Sequence, residues 1–192
     1  MGSGKTAVGR AVARLLDLRF IDSDAEIEAR TGVDIPFIFE KEGEEGFRAR
    51  ERDVIADLTL QDNVVLATGG GAILSAASRE LLAARGFVVY LEASIDRQVE
   101  RTRIGRHRPL LNTADPRTRL TELMAEREPL YVGIANFVIG TDGRRVPAVA
   151  EAIVAAVAPG HAAPQEGAVA VADAPADELA NPHENTAFTE QR

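Results

Sequence analysis

Met1-Gly2-Ser3-Gly4-Lys5-Thr6 opens the chain, and its Gly-Lys-Thr ending is the core of a phosphate-binding loop. In such a loop backbone N–H groups curl around phosphate oxygens, the lysine brings a charge to the terminal phosphates, and the threonine hydroxyl ligates Mg²⁺. The following segment, Ala7–Leu16, carries Val8, Val12, Leu15 and Leu16 near helical spacing, so a helix would point its positive end at the same anion. The full pattern is G-x-x-x-x-G-K-[ST], whose first glycine would precede Met1. The expectation is therefore that Met1 is an internal methionine, and that a strand and the start of the loop belong upstream.

Outward from this loop, apolar β-branched runs alternate with helical patterns. Strands are expected at Arg19–Ile21, Val64–Ala67, Phe87–Leu91 and Phe137–Ile139. Helices are expected at 25–30, 35–41, 44–60, 75–85, 95–103, 117–131 and 146–157. This alternation predicts a parallel α/β sheet with ligands at the carboxyl ends of its strands. Residues 104–116, with Gly105, Pro109, Pro116 and two arginines, break the periodicity and read as a functional or mobile loop.

Composition narrows the function. The 192 residues carry a formal charge of −8, which argues against a nucleic-acid footprint, and contain no cysteine, hence no disulfide and no thiolate metal site. Three scattered histidines make no zinc pattern, and neither a membrane span nor a signal peptide is legible. A soluble cytoplasmic protein is the expectation. Residues 161–192 hold six acids and one base among Ala and Pro, with almost no large apolar side chains. The segment 159–192 therefore reads as a disordered acidic tail behind one folded domain, 1–158.

Several residue types suit phosphoryl transfer, which needs a clamped donor, an acceptor hydroxyl held in line, and neutralised charge. Lys5 and Thr6 answer the first need. Asp22 and Asp24, two apart at a strand end, would share a face of an extended stretch. One could hold Mg²⁺ and the other take a proton from a hydroxyl, although either could merely cap the next helix. Arg48, three residues before Glu51, reads by itself as an ordinary surface ion pair. Arg127 continues the stripe Leu120, Leu123, Met124, either snorkelling or aimed at an anion. Arg108 is a solvated loop arginine or one that closes over ATP. Gly69-Gly70-Gly71 is a tight turn or a close approach to ligand.

Taken together, Gly2-Ser3-Gly4-Lys5-Thr6, Asp22-Ser23-Asp24, Phe47-Arg48-Ala49-Arg50-Glu51, Gly69-Gly70-Gly71, Arg108-Pro109-Leu110-Leu111 and Arg127-Glu128-Pro129-Leu130-Tyr131 resemble the shikimate kinases, in order, from Met1 to about Val157. The resemblance implies a P-loop NTPase-type fold with five parallel strands ordered 2-3-1-4-5, flanked by helices and a lid loop, with strand 1 absent from this sequence. It implies transfer of the ATP γ-phosphate to the 3-hydroxyl of shikimate, on the way to chorismate and the aromatic amino acids, by a monomer needing ATP and Mg²⁺.

By motif, Gly2, Ser3, Gly4, Lys5, Thr6 and Ala7 would bind ATP. Thr6 would ligate Mg²⁺ with Asp22 in its outer shell. Asp24 would bind the shikimate hydroxyls and poise the acceptor, and Lys5 and Arg108 would act with it in catalysis. Arg48 and Arg127 would clamp the shikimate carboxylate, Gly70 and Gly71 would contact shikimate, and Phe39, Phe47 and Glu51 would shape its pocket. Arg144 would lie near adenine. Two other readings compete: another small-molecule P-loop kinase, such as a gluconate kinase, or an inactive nucleotide-binding module.

Overall fold

The computed structural model describes residues 3–102, 115–157 and 168–174, the last as backbone alone. The elements are α1 (Lys5–Leu16), β1 (Arg19–Asp22), α2 (Ser23–Thr31), α3 (Ile35–Leu58), β2 (Val64–Ala67), a 3₁₀ turn (Ala72–Leu74), α4 (Ala76–Arg85), β3 (Gly86–Glu92), α5 (Ile95–Thr102), α6 (Pro116–Ile134), β4 (Phe137–Gly140), α7 (Val146–Val157) and β5 (Ala168–Ala174).

All five strands are parallel, in the order β1-β2-β5-β3-β4. Parallel strands covered on both faces should be apolar throughout, and β2 is buried at all four positions. Alternate side chains serve opposite layers. Val65, Val89 and Leu91 pack with Val8 and Val12 of α1 and Val149 and Ile153 of α7. Leu66 and Val88 face the other way, onto Ile27 of α2, Val54 and Ile55 of α3, and Leu82 of α4. A third cluster joins Tyr90 of β3 to Met124 and Tyr131 of α6.

The centre of the sheet differs from expectation. The place of strand 1 is filled by β5, from within the stretch read as disordered. Val169–Val171 pair with Val65–Ala67 on one side, and Ala168–Ala174 with Gly86–Glu92 on the other. The physical reason lies in the neighbours: β2 and β3 offer two parallel backbone edges in the interior, and edges there must find hydrogen-bonding partners. The run Ala168-Val-Ala-Val-Ala-Asp-Ala174 has no proline, so it can supply every N–H. The rest of the presumed tail, and residues 104–114 of the presumed lid loop, lie outside the described residues.

The stretch α3 agrees with expectation. It is two helices, as read at 35–41 and 44–60, meeting in a kink at Gly43, whose φ of 70° and ψ of −174° are not helical. The left-handed region costs glycine nothing, so the chain turns there and re-aims the half that carries Phe47, Arg48 and Glu51.

Candidate active site

The carboxyl ends of β1 and β2 and the start of α1 converge on a cavity of about 310 Å³. Lys5, Thr6, Asp22, Asp24, Phe39, Phe47, Arg48, Glu51, Gly69, Gly70, Gly71 and Arg127 all line it. Sequence reasoning thus gathered residues from six segments that the fold does bring together.

On one side stands the amino end of α1. Gly4 is its N-cap, in a left-handed conformation, and no side chain caps the helix. Uncapped amino ends attract anions. The Ser3 hydroxyl is buried and has no hydrogen-bond partner among the described residues. Thr6 Oγ1 donates to Asp22 Oδ2 at 3.0 Å. An uncapped helix end, an adjacent lysine, and a hydroxyl tethered to a carboxylate fit a nucleotide phosphate with Mg²⁺. Among the described residues no group of three or more His, Cys, Asp or Glu forms a cage that could hold a metal by itself.

Asp22 ends β1 and also caps α2, its Oδ1 accepting from the Asp24 N–H at 3.1 Å. Capping and site-lining are therefore one role, not alternatives. The expectation of a shared extended face fails, because Asp24 already lies in the first turn of α2. It reaches the cavity by helix geometry instead. Burial and the neighbouring charge of Asp22 raise the Asp24 pKa, against the opposing pull of Lys5 and Arg48.

On the other side Arg48 is no surface ion pair. Its guanidinium donates to Glu51 at 2.7 Å and to Glu44 at 3.0 Å, and Glu51 is only 2% exposed. Burial pushes the Glu51 carboxyl up to about 7, against the opposing charge of and hydrogen bond from Arg48. For Arg48 burial acts to lower the pKa, but the two glutamates outweigh it and hold the value above the usual range.

At two glycines a side chain would press on groups of the site. At Gly69 a Cβ would lie 2.6 Å from Glu51 Oε1 and 2.8 Å from Asp24 Oδ1; at Gly71 it would collide with the Arg48 guanidinium. Any side chain there would displace these groups. Phe39 and Phe47 form a tilted ring pair 4.8 Å apart beside them.

Arg127 is 3% exposed, so it is not a snorkelling side chain. Its Nη1 donates to the Gly70 carbonyl at 3.3 Å. Its Nε, with Asp24 Oδ1 and Glu51 Oε1, is buried without a hydrogen-bond partner among the described residues. Buried donors and acceptors left unpaired are costly, and three of them around one cavity mark where a polar ligand would be recognised.

Some expected residues do not join this group. Gly2 and Arg108 lie outside the described residues. Ala7 follows in the first turn of α1, exposed and outside the cavity lining. Arg144 is exposed in the turn after β4, where its N–H donates to the Thr141 carbonyl, and it does not line the cavity. Sequence reasoning missed Thr68, which lines the cavity, and Ser23, whose Oγ accepts from the Gly69 N–H at 3.1 Å. It also missed Tyr131, although the stripe through Arg127 leads to it one helical turn later.

Comparison with known proteins agrees with this geometry. A sequence model of the family described as shikimate kinase matches residues 1–158. The shikimate kinase of Halorhodospira halophila is 57% identical over 157 residues, covering 82% of this chain and 89% of that one. That of Methylococcus capsulatus is 57% identical over 141 residues, covering 73% and 79%. Among solved structures, a shikimate kinase from Acinetobacter baumannii in complex with shikimate superposes with a TM-score of 0.79 at 49% identity, covering 80% of this chain and 86% of that one. The Aquifex aeolicus enzyme gives 0.69 at 32% identity, covering 82% and 90%. A match over this much of the chain, together with the cavity that its shared segments build, makes this protein a member of the shikimate kinase family.

Proposed function

We propose that the cavity carries out shikimate phosphorylation with its own residues in the following roles. The observation that carries the assignment is the set of unpaired buried polar atoms, Asp24 Oδ1, Glu51 Oε1 and Arg127 Nε, around a cavity that also presents Arg48. A cyclic acceptor bearing hydroxyls at one end and a carboxylate at the other satisfies both signs at once. Arg48 and Arg127, from α3 and α6, hold the carboxylate with charge-assisted bonds. Asp24 accepts the proton of the 3-hydroxyl as that oxygen bonds to the γ-phosphorus of ATP and the bond to the bridging oxygen of ADP breaks.

Lys5 draws the terminal phosphate and offsets the charge that develops on it. Bound Mg²⁺ would supply further charge neutralisation, with Thr6 as ligand and Asp22 behind it. Ser3, Gly4 and Ala7, with Gly2, cradle the phosphates. Gly70 and Gly71 contact the acceptor; Phe39, Phe47 and Glu51 shape its pocket. Arg108 closes over the phosphates, and Arg144 approaches the adenine end. The same proposal takes the enzyme as a cytoplasmic monomer whose partners are small molecules, in keeping with its net charge of −8. No helix among the described residues is long and apolar enough to cross a membrane.

Arg127→Lys tests the clamp. Lysine keeps the charge but loses the planar fork, so the KM for shikimate should rise by roughly 10-fold or more, while the KM for ATP holds. An unchanged shikimate KM would remove Arg127 from the acceptor site.

A further inference from the structure

The backbone of the triple-glycine loop is almost fully committed. The Gly69 N–H is taken by Ser23, the Gly69 carbonyl by the Ala72 N–H at 3.1 Å, and the Gly71 carbonyl by the Leu74 N–H at 3.0 Å. The Gly70 carbonyl accepts twice, from the Tyr131 hydroxyl and from Arg127. No hydrogen bond holds the N–H of Gly70 or Gly71 among the described residues.

Across a planar trans peptide the carbonyl and the N–H point in opposite directions. The Gly70 carbonyl and the Gly71 N–H belong to one such peptide. Fixing the carbonyl onto α6 therefore turns the Gly71 N–H away from α6, and Gly71 lines the cavity. Glycines on both sides of this peptide would otherwise let it rotate freely.

Tyr131 is well placed to be that fixture. It is 2% exposed, and its ring stacks on Tyr90 at 4.9 Å, which holds the ring in place beside the Gly70 carbonyl. It also relieves Arg127, which spends only Nη1 on the same carbonyl and keeps Nε for other work.

We infer that Tyr131 is a positioning residue for the acceptor site, acting through the Gly70 carbonyl to aim the Gly71 N–H at the bound substrate. The inference rests on the functional reading above. It makes Tyr131 part of substrate recognition without any contact to substrate.

The test is Tyr131→Phe, which keeps the ring and removes one hydroxyl. Loss of a hydrogen bond worth about 0.5–1.5 kcal/mol predicts a shikimate KM raised roughly 2- to 10-fold, with the ATP KM unchanged. A residue that only supports the fold would move both KM values together, in step with the melting midpoint. Direct binding supplies a second readout. In ¹H–¹⁵N spectra, shikimate should shift the Gly71 amide of the parent, and do so less in the variant at equal saturation.

An unaltered shikimate KM, or an equal Gly71 shift in both proteins, overturns the role of Tyr131. A parent that does not saturate with shikimate overturns the functional reading itself, and this inference with it.

Discussion

Asp24→Asn should reduce kcat by about 10²- to 10⁴-fold, the usual loss when a positioned general base is removed. The substitution is nearly isosteric. The backbone N–H of residue 24 still donates to Asp22 Oδ1, so the cap of α2 survives. What disappears is the carboxylate whose Oδ1 faces the cavity without a partner. The raised pKa of Asp24, caused first by burial and then by Asp22, gives the carboxylate more affinity for the acceptor's proton than an exposed aspartate has. The amide of asparagine cannot take that proton. Steady-state kinetics decides the matter. The KM for shikimate should change far less than kcat, and an asparagine variant retaining most of its turnover would mean that no base at this position is required.

The second large effect concerns stability. β5 is bonded on both sides, pairing over three residues with β2 and over seven with β3. Ala170 sits opposite Leu66 on one side and Val88 on the other. Proline there removes an N–H from a central strand and leaves a buried carbonyl of its neighbour unpaired, which costs about 1–3 kcal/mol before any clash of its ring. Against a total stability of roughly 5–15 kcal/mol, that is a large share. Thermal unfolding followed by circular dichroism should show Ala170→Pro melting well below the parent. Removing residues 158–192 altogether should abolish the cooperative transition, since β2 and β3 would lose their shared partner. A proline variant melting with the parent would contradict the pairing of β5.

These two cases mark the limits of what was legible in the sequence. Val64-Val65-Leu66-Ala67 could be read as a buried strand because every position is apolar and the run stops at glycines, and the strand occupies those four residues. Val146–Val157 was equally plain. β5 was not, because its order comes from the slot between β2 and β3. Alanine and valine in an acidic, proline-rich neighbourhood carry little local signal, and nothing in residues 161–192 alone points to two waiting edges. Gly43 shows the opposite case: the break between two helical patterns was visible, and the chain kinks there.

The site divides in the same way. Lys5, Thr6, Asp22, Asp24, Arg48, Glu51, the glycines and Arg127 were legible because each motif is local, and the fold gathers them into one cavity. Whether Arg48 and Arg127 were buried could not be told from spacing, since an i,i+3 pair looks the same on a surface and in a core. Ser23 and Tyr131 were missed because they act on backbone, at the Gly69 N–H and the Gly70 carbonyl, across 46 and 61 residues of sequence. No pattern in either segment encodes a bond to a distant peptide group.

The most direct test of the account is ADP release by the 192-residue chain in the presence of ATP and Mg²⁺, with shikimate, with gluconate and with no acceptor. Asp24, Arg48 and Arg127 around one cavity predict release that depends on shikimate and saturates with it. Release that is independent of acceptor, or that follows gluconate and ignores shikimate, would contradict it.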